Sequence, residues 1–136
     1  PEEMHLLLAE DSVTVQAVVL DTLGSAGFTQ VSSCDNGGSA FARIQAIKQM
    51  ATEQNRPVSD FLDLIITDIE MPQMDGLTLC KRIKSELGID VPVIIFSSLV
   101  NEAMAAKCKS VKADANVSKA DTIGLIQTVD SLLKAA

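Results

Sequence analysis

The chain has 136 residues, and its 18 acidic side chains exceed its 11 basic ones, which gives a formal net charge of −7 at pH 7. A chain of this length fits one domain with a core of its own, since roughly two-thirds of the unfolded surface can be buried at this size. The negative charge argues against nucleic acid or anionic lipid as a partner, because both usually bind a basic patch. No apolar stretch approaches membrane-spanning length.

The three cysteines, Cys34, Cys80 and Cys108, are far apart and outside any C-x-x-C pattern. This spacing argues against disulfide bridges and a zinc knuckle, and we expect a reducing cytoplasm. The apolar run at 4–9 is flanked by acids rather than by a basic segment, unlike a signal peptide. Because the chain begins at Pro1 and not at methionine, we expect residues 1–136 to be one domain excised from a larger protein.

Short apolar segments alternate with longer helical patterns, which predicts parallel βαβ units covered by helices on both faces. The predicted strands lie at 4–9, 28–33, 62–67, 91–96 and 115–118. The first, third and fourth are nearly all apolar, as is typical of strands buried on both faces. The second and fifth are more polar, so we expect them at the sheet edges.

Apolar residues recur every three or four positions between the strands, which predicts five helices. The first helix, around Val13, is rich in β-branched residues that also fit a strand. Ser12 as a cap and Gly24 as a stop favour a helix. The polar segment 52–60 is expected to extend the second helix and then to return to the sheet. His5, inside the first strand, is expected to be a packed structural histidine.

Chemistry-bearing residues follow four of the predicted strands, and the carboxyl ends of parallel strands meet at one sheet edge. They are Glu10 and Asp11 after the first strand, Asp68 after the third, Ser97 and Ser98 after the fourth, and Lys119 after the fifth. Three carboxylates brought together repel one another unless a cation joins them. Mg²⁺ is the natural choice, because it is a hard ion that takes oxygen ligands.

With a metal bound, one carboxylate can attack phosphorus while the metal and a lysine neutralise the phosphoryl oxygens. A hydroxyl adds an oriented hydrogen bond. Each residue also has an ordinary interpretation: an acidic pair at a helix start, a serine cap, a turn aspartate and a solvated lysine. Their occurrence together, at successive strand ends, favours a site.

Four segments in this order resemble the receiver domains of two-component response regulators, and the resemblance covers essentially the whole chain. They are residues 8–12 (Leu-Ala-Glu-Asp-Ser), 68–76, 96–98 and 117–119. The resemblance implies a doubly wound (βα)5, flavodoxin-like and CheY-like α/β fold. Its five-stranded parallel sheet would have the order 2-1-3-4-5.

The resemblance also implies a role for each site residue. Asp68 would be phosphorylated by a histidine kinase, and Ser97 and Lys119 would bind the phosphoryl group. Asp11 would be the principal Mg²⁺ carboxylate, supported by Glu10, with the backbone carbonyl of Glu70 completing the protein ligands. The domain would not be an enzyme beyond self-phosphorylation and autodephosphorylation. It would signal through a shifted surface on its last two helices and strand.

Within the family, the long second helix and the segments 69–72 and 97–104 look most like the receiver of a CheV-type chemotaxis coupling protein. This resemblance implies a CheA-type histidine kinase as phosphodonor. It also implies a CheW-like scaffold domain in the same chain and chemoreceptor arrays as the setting.

Two residues depart from the family pattern. Asn116 replaces the aromatic residue that usually lies three positions before the lysine, so we expect the signal to pass through the Ser97 loop or through domain contacts. Ala120 replaces the proline that usually follows the lysine in a cis bond. A cis bond before a non-proline residue costs about 2.5 to 4 kcal/mol. We therefore expect either a trans bond with a rearranged loop or a strained cis bond.

Other functions fit less well. A haloacid-dehalogenase-like phosphatase also uses an aspartyl nucleophile with Mg²⁺, but it has a second aspartate where this chain has Glu70, and its nucleophile follows the first strand. An FMN carrier would be repelled by Glu10 and Asp11, and there is no Walker motif. A pseudo-receiver that is never phosphorylated would be expected to have lost acidic or lysine positions.

Overall fold

The computed structural model describes residues 2–98 and 100–135. Its five strands form one parallel sheet in the order β2-β1-β3-β4-β5, which confirms the fold that the resemblance implied. The strands are β1 His5–Ala9, β2 Gln30–Cys34, β3 Leu64–Thr67, β4 Val93–Ser97 and β5 Ala115–Ser118. The helices are α1 Val13–Ser25, α2 Gly37–Glu53, α3 Gly76–Ser85, α4 Glu102–Ser110 and α5 Thr122–Ala135.

Helices cover both faces of the sheet, because alternate strand residues point to opposite sides. On one face α2, α3 and α4 pack over Leu7 and Ile65. On the other face α1 and α5 pack over Leu8 and Ile66. The central strands are therefore buried on both sides, and β2 and β5 lie at the edges as predicted.

Strand boundaries differ from the predictions where an apolar residue is buried without being paired in the sheet. Leu62 and Val91 were expected to open the third and fourth strands, but pairing begins at Leu64 and at Val93. Phe28 is likewise buried ahead of β2. Apolar character predicted burial correctly in these places, whereas strand pairing depends on the neighbouring backbone.

Two local predictions are wrong. Helix α1 continues through Gly24 to Ser25, and the chain turns at Gly27, whose φ of 96° lies in the left-handed region. His5 is exposed, whereas its backbone is held on both sides: its N–H donates to Asp63 Oδ2 at 2.8 Å, and its carbonyl accepts the Asp63 N–H at 2.8 Å.

Other local predictions hold. The Ser12 hydroxyl accepts a hydrogen bond from the Val15 N–H and so caps α1. The segment 52–60 completes α2 and then forms a short 3-10 helix at Val58–Asp60. Within the described part of the chain, no helix has both the length and the apolar character needed to cross a bilayer.

Candidate functional site

The predicted site residues meet at one edge of the sheet because the strand ends are in register. The paired positions near this edge are Ala9 with Thr67, Thr67 with Ile95, and Ser97 with Ser118. The Asp68 N–H donates to Ala9 O at 2.9 Å, and the Lys119 N–H donates to Ser97 O at 2.9 Å. The sheet ladder therefore continues one residue beyond the strands and fixes the backbone of both residues.

Three carboxylates converge in this place. Glu10, Asp11 and Asp68 each offer an oxygen, and these oxygens lie within 4.8 Å of one another. Glu10 is 1% exposed and Asp68 is 7% exposed, whereas Asp11 is open to solvent. Such a group of partly buried negative charges is unfavourable unless a cation accompanies it.

Lys119 supplies one positive charge to the cluster. Its Nζ lies 2.9 Å from Glu10 Oε1 and 3.0 Å from Asp68 Oδ1. Glu10 Oε1 is shielded from solvent and receives no well-aligned hydrogen bond from the described residues, so we treat its contact with Lys119 as an ion pair. The other Glu10 oxygen accepts the Ser12 N–H at 3.2 Å.

The pKa values of Glu10 and Lys119 both move upward, for different reasons. Burial raises the pKa of Glu10 above its ordinary 4.5, and the negative charge of Asp68 adds to the rise, although Lys119 and the Ser12 N–H offset part of it. Burial alone would lower the pKa of Lys119. Its contacts with the carboxylates of Glu10 and Asp68 outweigh that effect and raise the pKa above 10.5. Lys119 is therefore a fixed positive charge at neutral pH.

The two oxygens of Asp68 have different surroundings. Oδ1 accepts the Ile69 N–H at 2.7 Å and contacts the Lys119 ammonium. Oδ2 receives neither of these contacts. The carboxylate is thus oriented through one oxygen, which leaves the other available for chemistry.

The segment from Ile69 to Gly76, which we call the 69–76 loop, is closed at its base. The Gly76 N–H donates to Ile69 O at 2.8 Å, and a Cβ on Gly76 would lie 1.8 Å from Asp68 O. Only glycine permits this approach. Asp75 then caps α3 by accepting the Thr78 N–H at 2.7 Å.

A cavity of about 310 Å³ opens above the carboxylates. All the predicted site residues line it, together with Ser12, Ile69, Ser98 and Met104. Ser97 is buried at 3% exposure, and Glu70 is exposed. The structure therefore brings the predicted residues together, while their individual roles stay predictions.

The donor set fits a hard divalent cation. Carboxylate and carbonyl oxygens are the ligands that Mg²⁺ prefers, and it usually retains several waters. The cluster offers three carboxylates beside the backbone of the 69–76 loop, and the site is open to solvent on the Asp11 side. Among the described residues, Lys119 is the one basic residue in the cavity lining, and its ammonium contacts Glu10 and Asp68.

Comparison with known proteins agrees with this geometry. The sequence profile of the response regulator receiver domain matches residues 6–130. The chain is a response regulator receiver domain. A protein-glutamate methylesterase/protein-glutamine glutaminase of Archaeoglobus fulgidus is 32% identical over 82% of this receiver domain. A gliding motility regulatory protein of Myxococcus xanthus is 29% identical over 96% of it. The matched region spans 28% and 15% of these two relatives, respectively.

Solved structures share the fold. The receiver domain of a histidine kinase from Arabidopsis thaliana, complexed with Mg²⁺ and BeF3⁻, has a TM-score of 0.80 at 21% identity, over 95% of this chain and 89% of that one. Chemotaxis protein CheY4 of Vibrio cholerae has a TM-score of 0.76 at 24% identity, over 96% and 99% of the two chains. At these identities the likeness establishes the fold.

The two departures from the family pattern have clear structural outcomes in this receiver domain. The bond between Lys119 and Ala120 is trans, which is the first of the two expected arrangements. The Ala120 N–H donates a hydrogen bond to the Ser118 hydroxyl oxygen at 3.2 Å. Asn116 stands opposite Ile95 on β4, and both polar atoms of its side chain are shielded from solvent without a partner among the described residues.

Sequence reasoning missed two residues at the receiver site. Gln16 donates from Nε2 to Glu10 O at 2.9 Å and so supports the acidic pair. Met104 lines the cavity. The helical spacing puts Met104 and Cys108 on one face of the fourth helix, but spacing alone does not show that this face reaches the site. No signal in the sequence pointed to Gln16.

Proposed function

We propose that this receiver domain accepts a phosphoryl group on Asp68 from the phosphohistidine of a histidine kinase, with Mg²⁺ as cofactor. The observation that carries the proposal is the convergence of Glu10, Asp11 and Asp68, with the ammonium of Lys119 in contact with Glu10 and Asp68. Asp11 and Asp68 would hold the ion, with the backbone carbonyl of Glu70 and support from Glu10. When bound, the ion supplies positive charge beside the phosphoryl oxygens.

The transfer itself needs one free carboxylate oxygen. Asp68 Oδ2 forms a bond to phosphorus as the bond between phosphorus and the donor imidazole nitrogen breaks, and the leaving imidazole takes up a proton. Ile69 N–H and Lys119 hold Oδ1 during the attack. Lys119 then lies within reach of the new phosphoryl oxygens as their counter-charge, and the Ser97 hydroxyl offers a hydrogen bond to them.

The product is an acyl phosphate in a cavity that Ser97, Ser98 and Met104 border. A hydrogen bond from Ser97 to the phosphoryl group draws the start of the β4–α4 connection toward Asp68. This shift changes the surface of α4 and β5, which a partner reads. We propose that the chain acts in this way as a switch and not as a turnover catalyst.

We propose that this receiver domain acts in the cytoplasm, in bacterial chemotaxis. A CheA-type kinase would be its phosphodonor, and a CheW-like scaffold domain would lie in the same chain. The 17-residue helix α2 supports the likeness to CheV-type receivers that the sequence suggested. The three free, buried thiols agree with a reducing compartment. Phosphotransfer from a purified CheA-type kinase that is much faster than from unrelated histidine kinases would support this assignment. Equal rates would contradict it.

The acceptor role is tested by incubating the protein with Mg²⁺ and acetyl phosphate and measuring its intact mass. We expect one added phosphoryl group in the wild type and none in Asp68→Asn. Asp75→Asn is the matched control, because it makes the same change in the same loop at an exposed cap that asparagine can also form. It should be labelled like the wild type.

Three results would contradict the proposal. They are an unlabelled wild type under conditions that label another receiver domain, labelling that persists in Asp68→Asn, and sustained hydrolysis of a small phosphomonoester. The last would instead indicate the phosphatase alternative.

A further inference from the structure

The tip of the 69–76 loop rests on the first turn of α2. The Gly37 N–H points to Pro72 O at 3.4 Å. A Cβ on Gly37 would lie 2.0 Å from Met74 O and 2.7 Å from Met74 C. Real side chains do not approach a backbone carbonyl so closely, so a side chain at position 37 must push the loop tip and the start of α2 apart.

The tip of the 69–76 loop cannot move without the rest of the loop. At the base of the loop, Gly76 packs against Asp68 O, and its N–H donates a hydrogen bond to Ile69 O. At its tip the Met74 N–H donates to Pro72 O at 2.8 Å, and Gln73 has a φ of 69° in the left-handed region. A loop that is closed at both places moves as a unit. Displacement of the tip therefore shifts the backbone of Glu70 between them.

We infer that Gly37 is a positioning residue for the Mg²⁺ site, acting through the 69–76 loop from outside the cavity. The inference rests on the proposed function, because it assumes that the Glu70 carbonyl is a metal ligand. Besides the Ile69 N–H, Asp68 has two contacts outside the loop: its own N–H donates to Ala9 O, and its Oδ1 contacts the Lys119 ammonium. A side chain at position 37 should therefore weaken metal binding while leaving the acceptor carboxylate in place.

The neighbouring glycine provides a matched control. A Cβ on Gly38 would lie 2.3 Å from Gln73 Oε1, which is the far end of a flexible side chain, and its next contacts are at 3.3 Å. Gln73 can turn away, so Gly38→Ala should leave the loop backbone where it is. Both changes replace glycine by alanine in the first turn of one helix, where alanine is otherwise the better helix former.

The experiment compares Gly37→Ala, Gly38→Ala and wild type by three measurements. Calorimetric titration with Mg²⁺ should show a Kd about 10-fold higher for Gly37→Ala, which is the size expected when a residue that orients a ligand is changed. Labelling by acetyl phosphate should be slow at low Mg²⁺ and recover when Mg²⁺ is saturating. Hydrogen exchange without metal should be faster in the 69–76 loop. Gly38→Ala should match the wild type in all three.

The outcomes distinguish the positioning role of Gly37 from the proposed acceptor role of Asp68. If Gly37→Ala binds Mg²⁺ like Gly38→Ala, the positioning role is wrong while the acceptor role stands. If the wild type neither binds Mg²⁺ nor becomes labelled, the proposed function itself fails. If Gly37→Ala does not fold, Met74→Gly decides, because glycine gives the backbone of the loop tip more conformational freedom at the place where it meets Gly37. That variant should raise the Kd for Mg²⁺, and an unchanged Kd would overturn the inference.

Discussion

Lys119 is bound to two carboxylates that a metal ion would also need. Its ammonium lies 2.9 Å from a Glu10 oxygen and 3.0 Å from an Asp68 oxygen. The lysine is thus a counter-charge for the acidic cluster and, at the same time, a competitor of any other cation there. The observed contacts lower the repulsion between the carboxylates and so compete with a metal ion, whereas the proposed role of the ammonium is to neutralise a phosphoryl group.

The variant Lys119→Met tests separately the competition with Mg²⁺ and the proposed role at the phosphoryl group. We expect Mg²⁺ to bind about fivefold more tightly or better, because removing a competing charge worth about 1 kcal/mol favours the remaining cation. Labelling of Asp68 by acetyl phosphate should nevertheless become slower, since the transferred group loses its counter-charge. Calorimetry and intact mass measure the two effects. Lys81→Met, at an exposed lysine on α3, is the control and should change neither. Weaker Mg²⁺ binding in Lys119→Met would contradict the competition.

At the scale of the element, β5 shows how much a strand pattern can predict. Its bounds at Ala115–Ser118 and its edge position were both predicted. Asn116 faces the same side as Ile95, which belongs to the core beneath α2, α3 and α4. Its amide atoms are shielded without a partner among the residues that the structure describes. A buried polar group without a hydrogen-bond partner destabilises the fold.

Asn116→Leu should therefore stabilise the protein, because it replaces the shielded amide by an apolar group of similar size. We expect the free energy of unfolding to rise by about 1 kcal/mol in urea denaturation. The same substitution at Asn101 should have the opposite sign, since the Asn101 side chain caps α4 by accepting the Met104 N–H. A loss of stability in Asn116→Leu as large as in Asn101→Leu would show that the amide is satisfied.

Helix ends and strand starts were predicted less well than element types. Gly24 was expected to end α1, but a single glycine within a helical period is tolerated, and the turn is made at Gly27, where φ is positive. His5 was expected to be packed, yet the first residue of a strand need not be covered by a helix. These outcomes depend on tertiary neighbours, which a local pattern does not contain.

At the scale of the whole molecule, the convergence of the site residues at one sheet edge could be predicted. It follows from the parallel sheet and from the positions of Glu10, Asp68 and Lys119 in sequence. Polarity alone predicted which two strands lie at the edges, whereas the order of the central strands came only from the family resemblance. The contact of Gly37 with Met74 could not be predicted, because it joins elements that are separate in sequence. Gln16 is only six residues from Glu10, but its residue type and spacing do not show where its side chain amide binds.

Stability should fall at alkaline pH because of the buried thiols. Burial raises the pKa of Cys80 from its ordinary 9.0 to about 11, and burial also raises those of Cys34 and Cys108. The unfolded thiols ionise first, so the stability present below pH 9 is lost as the pH rises toward 11. Cys80 contributes at most about 1.4 kcal/mol per pH unit.

Urea denaturation at several pH values checks this expectation. The slope of the unfolding free energy between pH 9 and pH 11 should be smaller in Cys80→Ala than in the wild type. The chain has no tyrosine, so no phenol titrates in the same range. Equal slopes in the two proteins would show that Cys80 ionises normally in the fold.

The buried aromatic residues have a practical consequence. Phe28, Phe41 and Phe96 lie in the core, and the chain contains neither tryptophan nor tyrosine. The domain is therefore almost transparent in the near ultraviolet, where those two residues dominate protein absorbance and emission. Any partner that carries a tryptophan can be followed by its own fluorescence without background from the receiver. A single tryptophan at Val100, which is 49% exposed and close to Ser97 in sequence, would report on the β4–α4 connection.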